Sequence, residues 1–261
     1  MRFILSLFFT IWSLVGVAQT NTIRYGHAHN DYLHQRPLFT ALENGFGSIE
    51  VDVFSHRGKL RVAHVPLALG IRKTLTELYL QPLANYLDTT KAVLQNPLIL
   101  MIDFKTSAKP TYEQLKKEII PFQKYLVGYS RNGVFQEGKI QLLISGSSPS
   151  REVTNEDTSY VRIDGSVHRV SDTLHQRVIT RYSSNWNNFF TWKGKGKMPE
   201  KEKALLNSLV NQAHQQHKDI RFYHIPDKPK VWRTLLDADV DWINTDRLAD
   251  YRKFYLEEYR R

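Results

Sequence analysis

Acids and histidines recur at the ends of this chain's apolar runs, and their types define the chemistry open to it. His27, Ala28, His29, Asn30, Asp31 and Tyr32 close the first such run. Glu50 and Asp52 lie in the next, His64 ends a short one, and Asp103 and Lys105 end another. Strand side chains two positions apart share a face, which groups Glu50 with Asp52 and Asp103 with Lys105. Carboxylates on the covered face of a sheet are costly unless a cation compensates them. Glu50, Asp52 and Asp103 offer only oxygen, the donor set that suits Mg²⁺ or Ca²⁺. His27 and His64 titrate near neutrality and can serve as general acid and general base. Lys105 can pair with Asp103, contact a phosphoryl oxygen, or do both.

These residues need a frame that gathers strand ends. Strands are expected over residues 23–27, 48–54, 60–63, 98–104, 139–145, 161–164, 178–182, 220–224 and 242–245. Helices are expected over 37–44, 74–79, 111–126, 200–216, 228–237 and 248–259. Thr74 with Glu77 reads as a capping box, and Pro82 as an interruption of the helix it opens; Thr111 with Gln114 reads as a second box. Roughly eight core strands alternating with helices point to one α/β domain, a TIM-type (β/α)8 barrel. Residues 60–63 add a hairpin after strand two. An open doubly wound sheet competes, but it normally carries a glycine-rich phosphate loop after strand one, and residues 27–32 are unlike one. Barrel active sites lie at the C-terminal ends of strands, and His27, Glu50, Asp52, Asp103, Asp164, His224 and Asp246 all fall at or near such ends.

Composition narrows the partners. Lys and Arg number 36 against 26 Asp and Glu, a formal charge of +10. Such a surface suits anionic phosphoesters or lipid headgroups, with peripheral contact to a membrane surface. No nucleic-acid motif accompanies it, and no nucleic-acid partner is expected. Cysteine is absent, which removes thiolate ligands, thiol nucleophiles and disulfides. Arg2, the apolar run 3–15 and Gly16-Val17-Ala18 form a secretory signal pattern. Residues 1–18 are therefore expected to be a leader, Gln19 the mature N-terminus, 19–261 the working domain, and the protein exported to the periplasm or secreted. GxSxG, P-loop and HExxH motifs are absent.

Other polar residues have two readings each. His29, Asn30, Asp31, Asp164 and His168 either line a pocket or shape their loops. Trp186 and Trp192 either hold an apolar part of a substrate or pack internally. Residues 193–197, Lys-Gly-Lys-Gly-Lys, are a phosphate-attracting or simply solvated loop. Asp246 either joins the site or caps the last helix.

Several of these segments resemble the phosphatidylinositol-phospholipase-C-like phosphodiesterase superfamily. That group includes glycerophosphodiester phosphodiesterases and sphingomyelinase D enzymes, and the likeness is nearest to its branch with the fungal altered-inheritance-of-mitochondria proteins. The segments are residues 27–32, 36–38, 48–52, 103–106, 163–165 and 240–246. The resemblance implies a TIM-type barrel and a divalent cation held by Glu50, Asp52 and Asp103. It implies catalytic roles for His27 and His64, and a phosphate-facing Lys105. It also implies a reaction in which a neighbouring substrate hydroxyl can attack phosphorus and give a cyclic phosphate. The chain departs from the pattern in places. Ala28-His29 stands where the glycerophosphodiesterases have Arg-Gly, Val65 where they usually have Asp, and His224 near the position of a venom-enzyme Trp.

The expected function is thus a metal-dependent phosphodiester hydrolase acting on glycerophosphodiesters or (lyso)phospholipid headgroups. Its expected substrate-binding residues are Lys105, His29, Asp164 and His224. Two rivals stand beside it. One is an amidohydrolase or PHP-type metallohydrolase built on His27-Ala28-His29, with His224 and Asp246 completing its site. The other is a non-catalytic barrel that binds an anion.

Overall fold

Strands covered on both faces read as near-continuous apolar runs, and such runs alternate here with amphipathic helices. The computed structural model describes residues 23–90, 96–167 and 176–259. The expected leader 1–18, its boundary at Gln19, and His168 lie outside the described residues. In chain order the strands are β1 (Ile23–Ala28), β2 (Phe46–His56), β3 (Lys59–Val62), β4 (Leu98–Phe104), β5 (Gly128–Ser130) and β6 (Gly133–Gln136). They continue with β7 (Ile140–Gly146), β8 (Thr158–Ser159), β9 (Val161–Gly165), β10 (Ile179–Asn185), β11 (Asp219–Tyr223) and β12 (Trp242–Thr245). Eight of them, β1, β2, β4, β7, β9, β10, β11 and β12, pair in parallel in that order, and β1 joins both β12 and β2. The sheet is a closed TIM-type barrel, and the open-sheet alternative is excluded by that closing pair.

β3 is the expected hairpin and runs antiparallel to β2, with His56 opposite Lys59. Arg57 and Gly58 between them both have positive φ, the backbone a two-residue turn of this hand requires. A small sheet of β6, β5 and β8 stands apart from the barrel. Its strands are two to four residues long, too short for sequence periodicity to report.

Alternation along the strands divides the interior. Ile49, Val51 and Val53 of β2 and Leu98, Leu100, Ile102 and Phe104 of β4 join the main core beneath the helices. Their alternates face the barrel axis. There Ile99, Met101, Leu143 and Trp242 form an apolar floor. Above it the axis becomes polar, with Ser48, Glu50, Asp52, His27, Arg181, Arg221 and Asn244 all buried.

The helices follow their apolar spacing. In Glu200–Gln215 the buried residues are Leu206, Leu209, Val210 and Ala213, one stripe at helical period. Three boundaries differ from expectation. The first helix is only Phe39–Glu43, because Leu38 enters it at φ 66, its N–H donating to Asp31 Oδ2 at 2.5 Å. The Thr74–Glu77 box forms, but the helix does not stop at Pro82: a π turn Thr76–Leu80 runs into Gln81–Thr90. A wider turn relieves the loss of the proline N–H. The Thr111 box does not form, because the helix starts a turn earlier, at Ala108, and Thr111 Oγ1 donates back to Ser107.

Candidate active site

β2 and β4 are in register with Asp52 opposite Asp103, which brings the acids of both strands to one end of the barrel. Glu50, Asp52 and Asp103 each present an oxygen, and these three oxygens lie within 4.8 Å of one another. Among the described residues this is the one such cluster of three potential metal ligands. Asp52 Oδ2 is crowded: Tyr32 O–H donates to it at 2.8 Å, His64 Nδ1 at 3.0 Å and Lys105 Nζ at 3.1 Å. Lys105 Nζ also donates to Asp103 Oδ2. The other oxygens, Asp52 Oδ1 and Asp103 Oδ1, are buried and have no hydrogen-bond partner. Buried acceptors without partners are rare in folded proteins, and two on the acids of this trio fit a divalent cation. Gly146 at the end of β7 protects this arrangement. Its φ is +71, and a Cβ there would stand 1.9 Å from Asp103 Oδ1. The donor set is all oxygen and fits a divalent cation.

The two histidines occupy different depths. His64 follows β3 at the lip, with its side chain 59% exposed and Nδ1 turned toward Asp52. Its Nε2 has no partner among the described residues and borders the cleft. His27 is fully buried in the axis. Its Nδ1 lies 2.7 Å from Ser48 Oγ, and its Nε2 lies 2.8 Å from Glu50 Oε2 and contacts Arg221 Nη1. Burial first, and then the Arg221 charge, push its pKa well below the ordinary imidazole value.

Arg221 was not anticipated, and it organises the polar axis. Its Nη1 donates to Glu50 Oε2 at 2.7 Å and to Asn244 Oδ1 at 3.0 Å, and its Nε donates to Ser183 Oγ at 3.0 Å. Burial alone would raise the Glu50 pKa; the Arg221 guanidinium and the His27 bond outweigh it and hold the carboxyl well below the usual range. Arg181, equally buried, stacks 4.6 Å over the Trp242 ring and reaches Ser48 at 3.3 Å. Burial draws its pKa down to about 10. The available signal was a basic residue inside each of two apolar strands, where an unpaired charge is not tolerated. Burial also raises Asp52 against the pull of Lys105. For Lys105 the balance is reversed: burial disfavours its charge, but Asp103 and Asp52 raise its pKa.

The remaining expected site residues divide. A cleft of about 760 Å³ opens over the acids, and Glu50, Asp103, Lys105, His29, Asp164 and His224 all border it. Burial opposes charge on His29, but its Nδ1 lies 2.8 Å from Asp246 Oδ1, and that bond raises its pKa. Asp246 thus serves His29 and does not cap the last helix, whose N-cap is Arg247. Asp164 has an unpartnered Oδ1, and burial lifts its pKa to about 6 against Arg221 and Arg181. His224 is exposed and held at φ 56. Asp31 is structural: its Oδ2 accepts from Leu38 N and from Tyr79 O–H. Trp186 and Trp192 pack internally, Trp186 Nε1 donating to Trp192 O at 3.1 Å. His27 and His29 engage separate carboxylates, so the His27-Ala28-His29 segment does not assemble the ligand set the amidohydrolase reading needs.

Known proteins share this fold and parts of this sequence. A crystal structure of a glycerophosphodiester phosphodiesterase from Parabacteroides distasonis shares the fold, with TM-score 0.52 and 15% identity over 90% of this chain and 98% of that one. Residues 18–96 match the AIM6-like phosphodiesterase domain. Altered inheritance of mitochondria protein 6 of Kluyveromyces lactis is 26% identical, over 87% of this chain and 71% of that protein. The homolog from Arthroderma benhamiae is 25% identical, over 84% and 80% respectively.

Proposed function

We propose that the protein hydrolyses phosphodiesters with a divalent cation, Mg²⁺ or Ca²⁺, held by Glu50, Asp52 and Asp103. The carrying observation is the pair of unpartnered buried oxygens, Asp52 Oδ1 and Asp103 Oδ1, in a three-acid cluster that shares its cleft with Lys105 and His64. Bound there, the cation would neutralise phosphate charge and polarise its oxygens. Lys105 adds a fixed positive charge at the same mouth, where charge develops on phosphoryl oxygens. Asp52 and Tyr32 orient His64 so that Nε2 exchanges a proton with the reacting oxygen. His27 is the proposed second member of the acid–base pair and acts from within the axis, where its Nε2 lies 2.8 Å from Glu50 Oε2. Glycerophosphodiesters and lysophospholipid headgroups are the proposed substrates, and a substrate hydroxyl adjacent to phosphorus can replace water as the attacking group. His29, paired with Asp246, lines the same cleft and offers its ring to the substrate. We also propose export, on the sequence pattern of residues 1–18; Gln19 at the N-terminus of protein recovered outside the native host's cytoplasm tests it.

The test uses a chromogenic phosphodiester and a glycerophosphodiester. Wild-type turnover should vanish with chelator and return with Mg²⁺ or Ca²⁺. His64→Ala should lower turnover by about 10²–10⁴-fold, the scale of acid–base catalysis. A protein that binds both compounds but turns over neither in either metal would leave the anion-binding reading instead.

A further inference from the structure

The lip of the cleft carries aliphatic side chains that the fold leaves in solvent. Val65, Leu67 and Ile71 are 50%, 67% and 87% exposed, and Leu33 is 69% exposed. The first three belong to the segment that begins immediately after His64. Leu33 ends the turn that contains Tyr32, whose hydroxyl lies 3.2 Å from His64 Nδ1, so both segments flank one lip. The segment is folded in this exposed state. Leu67 N donates to Val65 O at 2.7 Å, Ile71 N to Ala68 O at 3.2 Å, and Arg61 Nη1 ties down Arg72 O at 2.6 Å. Exposed single aliphatics are ordinary, but four around an active-site mouth form a patch with a use. The adjoining charge is positive: Arg72 and Lys73 follow directly, Arg57 and Lys59 occupy the neighbouring hairpin, all four are exposed, and residues 65–73 contain no acid.

We propose that this lip docks the protein on an anionic phospholipid surface, with Val65, Leu67, Ile71 and Leu33 among the acyl chains and Arg72 and Lys73 against lipid phosphates. Apolar insertion flanked by basic residues is how interfacial segments bind, each part adding affinity. The patch is continuous with His64, so docking would deliver a headgroup to the cleft. The choice of lipid over a protein partner rests on the phosphodiesterase reading and on the basic flank. It narrows the substrate class to phospholipids presented in a membrane.

The experiment is flotation of the purified chain with vesicles of phosphatidylcholine, alone or mixed with phosphatidylserine. Hydrolysis of a soluble diester is measured on the same samples. Wild type should float, and more strongly with phosphatidylserine. Leu67→Ser with Ile71→Ser should weaken vesicle partition roughly 10²-fold, because each removes a side chain worth about a factor of ten or more. Arg72→Glu with Lys73→Glu should weaken binding to phosphatidylserine vesicles by at least about tenfold. All four positions are exposed, so soluble-diester turnover and the circular dichroism spectrum should be unchanged. Equal flotation of wild type and the serine variant would overturn the proposal. So would a wild type that floats on neither vesicle, or a patch whose loss only converts a dimer to a monomer. Flotation needs no turnover: a protein that floats but is inactive refutes the enzymatic reading alone, and an active protein that does not float refutes docking alone.

Discussion

Replacing Arg221 by methionine tests the logic of the polar barrel axis. Arg221 Nη1 and Glu50 Oε2 are 2.7 Å apart and both side chains are almost fully buried. At that distance an effective dielectric near 20 gives an attraction of about 6 kcal/mol, against which the desolvation of both ions must be set. Breaking a buried pair by removing one partner typically costs about 3–5 kcal/mol, because the surviving charge is stranded. Arg221→Met should therefore lower Tm by roughly 6–20 °C in chelator, using about 2–4 °C per kcal/mol for a domain of this size. Adding Glu50→Gln to Arg221→Met removes the stranded charge and should restore much of the loss, giving a coupling of about 2 kcal/mol or more in the cycle. The pH dependence carries the same sign argument. The Glu50 pKa is depressed in the folded protein, so its contribution to stability is present above the ordinary carboxylate range and is lost as pH falls below it. Arg221→Met removes the counter-charge and lets burial push the Glu50 pKa upward, so the variant should lose less stability on acidification than wild type. Thermal denaturation monitored by circular dichroism in chelator reads both effects. A single variant within a degree or two of wild type, or a double variant no more stable than the single, would refute the counter-ion role of Arg221.

Other outcomes follow from the same site. Calorimetric Mg²⁺ or Ca²⁺ binding should weaken about tenfold or more in Asp52→Asn, which removes ligand charge, and should persist in His29→Ala, whose partner is Asp246. Tight Zn²⁺ lost in His29→Ala but kept in Asp52→Asn would reverse that assignment. Gly146→Ala places a methyl 1.9 Å from Asp103 Oδ1 at positive φ, so it should cost on the order of 1–3 kcal/mol in denaturant unfolding and also weaken ion binding. Unchanged ion affinity in a folded Gly146→Ala would show that Asp103 does not depend on that approach. Carboxyl ¹³C NMR in chelator should reveal one aspartate titrating near pH 6, absent in Asp164→Asn. A raised pKa means the folded protein holds that proton more tightly than the unfolded chain, so the Asp164 contribution to stability grows as pH falls from about 6 into the ordinary carboxylate range.

The alternation of apolar runs and helices already specified the barrel, because burial on both faces and helical period are local properties of the chain. The acids were legible for the same reason. Period two puts Glu50 with Asp52 on one face, and a carboxylate inside an apolar strand is conspicuous. Short-range chemistry placed the β3 hairpin and the Thr74–Glu77 cap. Three-dimensional closure decided the rest. Only the β2–β4 register sets Asp52 against Asp103 and leaves their Oδ1 atoms without partners. Only the ring of eight strands brings Arg221 from β11 onto Glu50 and His27, more than a hundred and fifty positions away in sequence. His27 and His64 look equivalent as letters; their depths differ because β1 carries one into the axis while the β3 hairpin carries the other to the lip. The same holds for Asp246, which reads as a helix cap until the chain ends of β1 and β12 meet and give it His29. Sequence spacing encodes which residues share a face, whereas the partner across a barrel is set by strand order and register, which no local pattern contains.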